Sequence, residues 1–362
     1  MTTPEPALRV RGVVLPEAEH HDLYLVGGRV SRTPVPDARL VGEGWIVPGL
    51  VDAHCHVGLD SRGAVEDVEE QERQALADRD AGALLLRDCG VPVDTRWIDQ
   101  RPDLPRIVRA GQHLARPKGY LRGVGVELEP EDLAAQVGVE AARGDGWVKI
   151  VGDWIDRGRG DLAPQWPAEA LRAAAAAAHA AGARITAHTF SEEALDDLVH
   201  AGFDCLEHGT GLDDTLIAEM ARRGTALVPT LINVLDNFAG IAESAARFPA
   251  YAEHMRRLLA TAPSVVRRAA EAGVPLYVGT DAGGNVSHGR VADEILALHE
   301  AGLAAEDALA AGSWKARGWL GLPAGLDEGD AADLVVYASD PRKDLRVLRD
   351  PQRVVLRGRI VA

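Results

Sequence analysis

WIVPGLVDAHCHVG, residues 45–58, is an apolar, β-branched run that ends in two histidines one residue apart, His54 and His56. In a strand, residues i and i+2 point to the same side, so both imidazoles would face one point while Cys55 faces away. Neutral imidazole is a common ligand of transition metals. The run therefore predicts a buried strand that delivers two metal-ligating side chains at its end.

Outward from it, short apolar segments alternate with helical patterns. Helical runs at Glu66–Ala81, Pro130–Arg143, Pro167–Ala181, Asp213–Arg223 and Pro263–Ala272 separate strand-like runs at 83–88, 106–110, 147–151, 184–188, 203–208, 225–229 and 274–281. With the His54 strand these make about eight, the number that closes a (β/α)8 TIM barrel of α/β class. A doubly wound open sheet is the alternative. The chain ends differ from this rhythm. LRVRGVVL, DLYLVGGRV and ARLVGEG near the start, and ADLVVYA and RVVLRGRIV near the end, read as short strands broken by turns. Residues 1–47 and 325–362 are expected to form one small β-sandwich, and residues 48–324 the barrel.

The polar residues fall at the ends of the expected strands. His54 and His56 end the first, Lys149 lies in the fourth, His188 and His208 end the fifth and sixth, and Asp281 ends the eighth. In a barrel those ends converge on one face, where active sites are built. Four histidines, an aspartate and a lysine there are ligands enough for two ions. Lysine is rare in an apolar strand without a partner.

The rest of the composition narrows the function. At 362 residues, with 46% apolar and 26% charged residues, the chain suits a globular barrel with a minor domain. A net charge of −16 argues against nucleic acid or an anionic membrane as partner, since both attract basic patches. MTTPEPALRV shows no basic segment followed by an apolar one, so no signal peptide is expected, and no run is apolar for long enough to span a membrane. Three scattered cysteines, Cys55, Cys89 and Cys205, are expected to be reduced and buried, as in a cytoplasmic protein.

The segments PGLVDAHCH (48–56), LLRDCG (85–90), WVKIVG (147–152), ITAHTF (185–190), DCLEHGTGLDD (204–214), VPTL (228–231), GTDAGG (279–284) and GDAADLVVYASDP (329–341) resemble the amidohydrolase superfamily, within it the imidazolonepropionase-like and prolidase-like branch. The resemblance implies that His54, His56 and Asp281 hold one divalent ion and His188 and His208 a second, zinc first among the candidates, bridged by a carbamylated Lys149. The chemistry of lysine agrees: an ammonium has no lone pair, but burial favours the neutral amine, which can capture CO2 and become an anionic ligand. The implied reaction is attack by a hydroxide on an amide carbonyl of a small substrate, a dipeptide or N-acyl amino acid, with Asp281 passing the proton to the leaving amine. A mononuclear cyclic amidase or deaminase is the alternative within the superfamily, with Lys149 as contrary evidence. A catalytically inactive barrel is the alternative outside enzymes.

Tyr120, His288 and Arg157 are candidate substrate contacts. Tyr120 stands in ARPKGYLRG, where dipeptidase-like relatives carry Gly-Gly-His-Gly; His288 lies in NVSHGRVADE and resembles a family His-Gly beside the pocket; Arg157 follows the fourth strand and could pair a carboxylate. Trp154, Phe190 and Phe238 could line an apolar wall, and 230–261 reads as a long loop of the kind that covers sites. The partner is expected to be a small molecule, and a homo-oligomer is compatible with the sequence.

Overall fold

The computed structural model describes residues 7–245 and 247–362. Its centre is parallel. Leu50–Cys55 pairs with Ala83–Asp88, and that strand with Arg106–Arg109. A second parallel set runs, in spatial order, Val126–Glu127, Leu114–Ala115, Trp147–Val151, Arg184–Thr189, Cys205–His208 and Ala226–Val228. Helices such as Ala168–Ala180 and Asp214–Arg223 fall between consecutive strands, giving an α/β fold with parallel sheets.

Side chains along these strands alternate with period two, as burial on both faces requires. Leu84, Leu86, Val148, Ile150, Ile185, Ala187, Leu206 and Leu227 join the large core shared with the helices. Val51, Ala53, Leu85, Trp147, Cys205, Ala226 and Val228 form a separate inner cluster. Lys149 is two residues from Trp147 and so shares its side.

The expected strand at 274–281 is not a regular one. It is an extended segment held by single bridges, Leu227 to Leu276 and Cys55 to Ala282. Pro275 has no N–H to give a ladder, and Asp281 leaves the β region with φ +59. The segment is nevertheless well tied: Leu227 N donates to Pro275 O at 2.8 Å, Tyr277 N to Leu227 O at 3.1 Å and Ala53 N to Val278 O at 2.7 Å. Two glycines let it lie against the His54 strand. A Cβ on Gly279 would sit 2.6 Å from His54 Cβ, and one on Gly283, at φ +109, would sit 2.3 Å from His56 O.

Among the described residues, 230–261 are mostly helical and not the expected long loop. Helix Leu231–Ser244 is followed by helix Pro249–Glu271, which runs through Pro263, the residue expected to start it. An interior proline costs a helix about 3 kcal/mol. The long helix buries Ala252, Met255, Leu258, Ala262, Val265, Val266 and Ala269, a stripe of helical spacing whose burial outweighs that cost. His254 on this helix bridges two other segments: Nδ1 lies 2.9 Å from Asp161 and Nε2 2.8 Å from Glu192.

The chain ends meet in one seven-stranded sheet, in the order Arg359–Ile360, Arg353–Leu356, Leu334–Tyr337, Arg39–Pro48, Leu8–Val14, Glu19–Val26, Arg29–Ser31. The expected two-layer sandwich is, among the described residues, a single sheet that curls. Its edge at Arg29 bridges to Ala331, and Val30 N donates to Asp330 O at 2.9 Å. The curl encloses Val10, Leu23, Leu25, Ile46, Leu334, Val336 and Val355, while Val47, Val335, Tyr337, Val354 and Leu356 pack onto the main core. The three cysteines are free and buried. No described helix is long and apolar enough to cross a membrane.

Candidate metal centre

The polar strand ends do come together. His54 Nε2 lies 3.3 Å from His56 Nε2, and Asp281 Oδ1 lies 3.1 and 3.2 Å from those two nitrogens. Beside them His208 Nε2 is 2.9 Å from His188 Nδ1, and the His54 and His208 rings are 5.4 Å apart. All four imidazoles are buried.

The outer nitrogens explain what the inner ones are for. His54 Nδ1 is 2.6 Å from Glu207 Oε2, His56 Nδ1 3.0 Å from Gly90 O, and His208 Nδ1 2.6 Å from Thr230 Oγ1. Each acceptor holds the proton on Nδ1, so each Nε2 presents a lone pair. With both rings neutral, the Nε2 lone pairs of His54 and His56 and an Asp281 oxygen converge with no donor among them. Such a set is stable around a cation, and His54, His56 and Asp281 lie close enough together to hold one.

Lys149 is 1% exposed. Among the described residues its ammonium has neither a hydrogen bond nor a salt bridge, yet its charge bears on His54, His188 and His208. Burial holds His208 down to about pH 3 and His188 well below the ordinary histidine value, both suited to a lone-pair ligand. Burial pushes His54 the same way, but Cys89, Glu207 and Asp281 outweigh it and raise the ring well above its ordinary value. Metal binding here must displace that proton.

Three site residues, His208 (φ +65), Thr230 (φ +45) and Asp281 (φ +59), have left-handed backbone. Asp52 braces the segment that carries Asp281: its Oδ1 accepts from His54 N at 3.1 Å and Thr280 N at 3.0 Å, and its Oδ2 from the Thr280 hydroxyl at 2.5 Å. Beneath the imidazoles, Glu207 also accepts from Arg87 Nη2 at 2.8 Å and from the Thr186 hydroxyl. Burial opposes its charge, but Arg87 and His54 keep it well below the usual carboxylate range.

Tyr120 joins the site. Its ring stacks on His113 at 4.9 Å, meets Trp154 edge-on at 4.9 Å and lies 5.8 Å from His188. Phe190 packs 4.4 Å from His188 with Phe238 behind it, so Trp154 and Phe190 form the expected apolar wall. His288 and Arg157 are placed elsewhere. His288 Nδ1 is tied to Asp78 at 2.7 Å. Arg157 is exposed and lines a cleft of about 610 Å³ with Arg116, Lys118 and Trp154.

Sequence reasoning missed His113, Glu207 and Asp153. His113 is fully buried, 5.1 Å from His56 ring to ring, with neither nitrogen bonded. It stands just past the Arg106–Arg109 strand, so the strand-end rule that found the others could have found it. Asp153 Oδ1 is 3.7 Å from His188 Nε2, the one outer nitrogen of the four without a hydrogen bond.

The chain is thus an α/β protein with parallel sheets whose strand ends gather imidazoles and a carboxylate into a group that could hold a metal ion. Over residues 45–361 the sequence matches the amidohydrolase family, and the chain belongs to it. Relatives from Mycobacterium tuberculosis and Mycobacterium bovis, both uncharacterized proteins, are 58% identical over 354 residues, covering 97% of this chain and 95% of theirs. Among solved structures, a Xaa-Pro dipeptidase with methionine bound in its active site superposes with a TM-score of 0.82 at 22% identity, covering 98% of this chain and 99% of that one. The A. niger ochratoxinase superposes with a TM-score of 0.79 at 18% identity, covering 98% and 96%. At such identities the likeness is one of fold.

Proposed function

We propose that the chain is a binuclear metal-dependent hydrolase that cleaves the C–N bond of a small amide, such as a dipeptide or N-acyl amino acid. One observation carries this reading: the lone pairs of His54 and His56 meet an Asp281 oxygen beside a buried lysine without an anion partner. His54, His56 and Asp281 would hold one ion, His188 and His208 the second, and Lys149, as a carbamate, both. Zinc suits these nitrogen and oxygen donors. Two such ions, when bound, supply a hydroxide nucleophile near neutral pH and polarise a carbonyl.

The chain's own residues do the rest. Asp281 takes the nucleophile's proton on its second oxygen and returns it to the leaving nitrogen. Glu207, Gly90 O and Thr230 keep the histidine protons outward. His113 has ring nitrogens free to meet a substrate carbonyl, and Tyr120, Trp154 and Phe190 exclude water from the reacting bond. Arg157 in its cleft would meet only an anionic extension of the substrate, and His288 acts through Asp78 as a brace.

The bonds from Leu227 and Ala53 to the 275–278 segment support a closed (β/α)8 barrel over residues 48–324, with 1–47 and 325–362 as a small β subdomain. The family and the prolidase-like neighbours support hydrolysis over a scaffold role. A cytoplasmic enzyme acting on a small molecule fits the charge and the free cysteines. The test is metal analysis of the purified protein, with assay against dipeptides, N-acyl amino acids, lactones and cyclic amides before and after chelation. About two ions per chain and metal-dependent cleavage of a linear amide are expected. Turnover undiminished by exhaustive chelation would end this reading, and a single ion with cyclic-amide cleavage would favour the mononuclear alternative.

A further inference from the structure

The first turn of helix Leu231–Ser244 reaches both halves of the cluster. An N-terminal threonine usually turns its hydroxyl back onto the helix N–H groups. The Thr230 hydroxyl oxygen instead accepts from His208 Nδ1 at 2.6 Å. The orphaned N–H groups of Leu231 and Ile232 donate to the buried Glu294 carboxylate at 2.7 and 2.8 Å, so a residue of helix Val291–Glu300 does the capping. This arrangement fixes the helix start from outside.

Two residues past Leu231, Asn233 Nδ2 donates to Asp281 Oδ2 at 2.7 Å. One turn on, Asn237 Nδ2 donates to Asn233 Oδ1 at 2.7 Å. Because the carbonyl end of the Asn233 amide is occupied by Asn237, its NH2 end faces the carboxylate. Asp281 is thus divided between two tasks, with Oδ1 near His54 and His56 and Oδ2 held by Asn233. A carboxylate torsion is otherwise soft, and a free Asp281 could turn both oxygens toward one ion.

We propose that Asn233 is a positioning residue that holds Asp281 as a one-oxygen ligand, with Asn237 setting the orientation of the Asn233 amide. The proposal rests on the metal-site reading above. A charge-assisted bond from a neutral amide leaves the second lone pair of Oδ2 free for a proton, so positioning and proton transfer are compatible.

The test uses the metal-free full-length protein titrated with Co2+, followed by absorbance and by bound metal, with no substrate. Asn233→Ala is expected to weaken Co2+ binding by about tenfold to a hundredfold, the usual effect of losing a group that orients a ligand. Asn237→Ala should weaken it less, because Asn233 keeps its donor and loses only its guide. Melting of the metal-free protein should fall in either variant by no more than the ~2–4 °C of a lost part-buried hydrogen bond, which separates positioning from a structural role. Asn233→Leu, of similar volume, serves should the alanine variant fail to fold, and the same loss is expected. Wild-type Co2+ affinity in the Asn233 variants would overturn the proposal, as would loss of affinity in step with a metal-free melting temperature lowered beyond that range. A wild-type protein that takes up no Co2+ would instead overturn the metal-site reading itself.

Discussion

Arg87→Met tests the polar layer beneath the imidazoles. Arg87 is 0% exposed; Nη2 bonds Glu207 at 2.8 Å, Nε bonds Ala53 O at 2.7 Å, and the guanidinium lies 4.5 Å over Trp147 and 5.0 Å from Trp319. Methionine keeps much of the length and leaves Glu207 as a buried carboxylate facing His54, the Thr186 hydroxyl and the thiols of Cys89 and Cys205 at 3.8 Å. Removing one partner of a buried pair costs about 3–5 kcal/mol. The lost cation–π contacts add about 1–2 kcal/mol. Nη1 of Arg87 is buried without a partner, so its removal returns about 1–3 kcal/mol and roughly offsets that addition. The net expectation is a loss of about 3–5 kcal/mol, read as a lowered urea midpoint of the metal-free protein at unchanged slope. Arg87→Met with Glu207→Leu should cost less than Arg87→Met alone, because no charge is then stranded. A single variant costing under about 1 kcal/mol, or a double variant equal to the sum of the singles, would refute the reasoning.

Lys149→Ala should lower bound metal from about two ions per chain to one or fewer, and reconstitution of wild type should improve with added bicarbonate; metal analysis of the two proteins decides it. His254 gives a pH dependence. Its bonds to Glu192 and Asp161 raise its proton affinity, so its contribution to stability is present below about pH 6.5 and is lost as pH rises through the raised folded value. Glu192 is lowered to about 2 by the same contact, so its share is present above about pH 4.5 and is lost as pH falls toward 2. The stability gap between wild type and His254→Leu should therefore be widest between about pH 4.5 and 6.5 and narrow as pH rises through the raised His254 value, as thermal melts at each pH would show.

The histidines were legible because period two and strand ends are both sequence properties. A buried strand that closes in His-x-His, and apolar runs that stop at His188 and His208, state their geometry directly. What stayed hidden depends on partners far away in the chain. Pro263 reads as a helix start until the buried stripe along a 23-residue helix is seen to outweigh it. His288 looked like a pocket residue, and its place is set by Asp78, 210 positions earlier. Glu207 sits one residue before His208, yet its task follows only from the approach of Arg87 and His54 from other strands. The curl of the terminal sheet likewise arises from a bridge between residues 29 and 331, which no local pattern announces.

The left-handed backbone at His208, Thr230 and Asp281 has a bearing on how this chain can change over generations. Such conformations cost a non-glycine residue of order 1–3 kcal/mol each, and glycine or asparagine would relieve them. A lineage selected for durability alone would find some of its easiest gains at these three positions, and each gain would remove a side chain from the cluster. Drift toward glycine there, with the core intact, would be the trace left by a descendant that kept the scaffold and abandoned the chemistry.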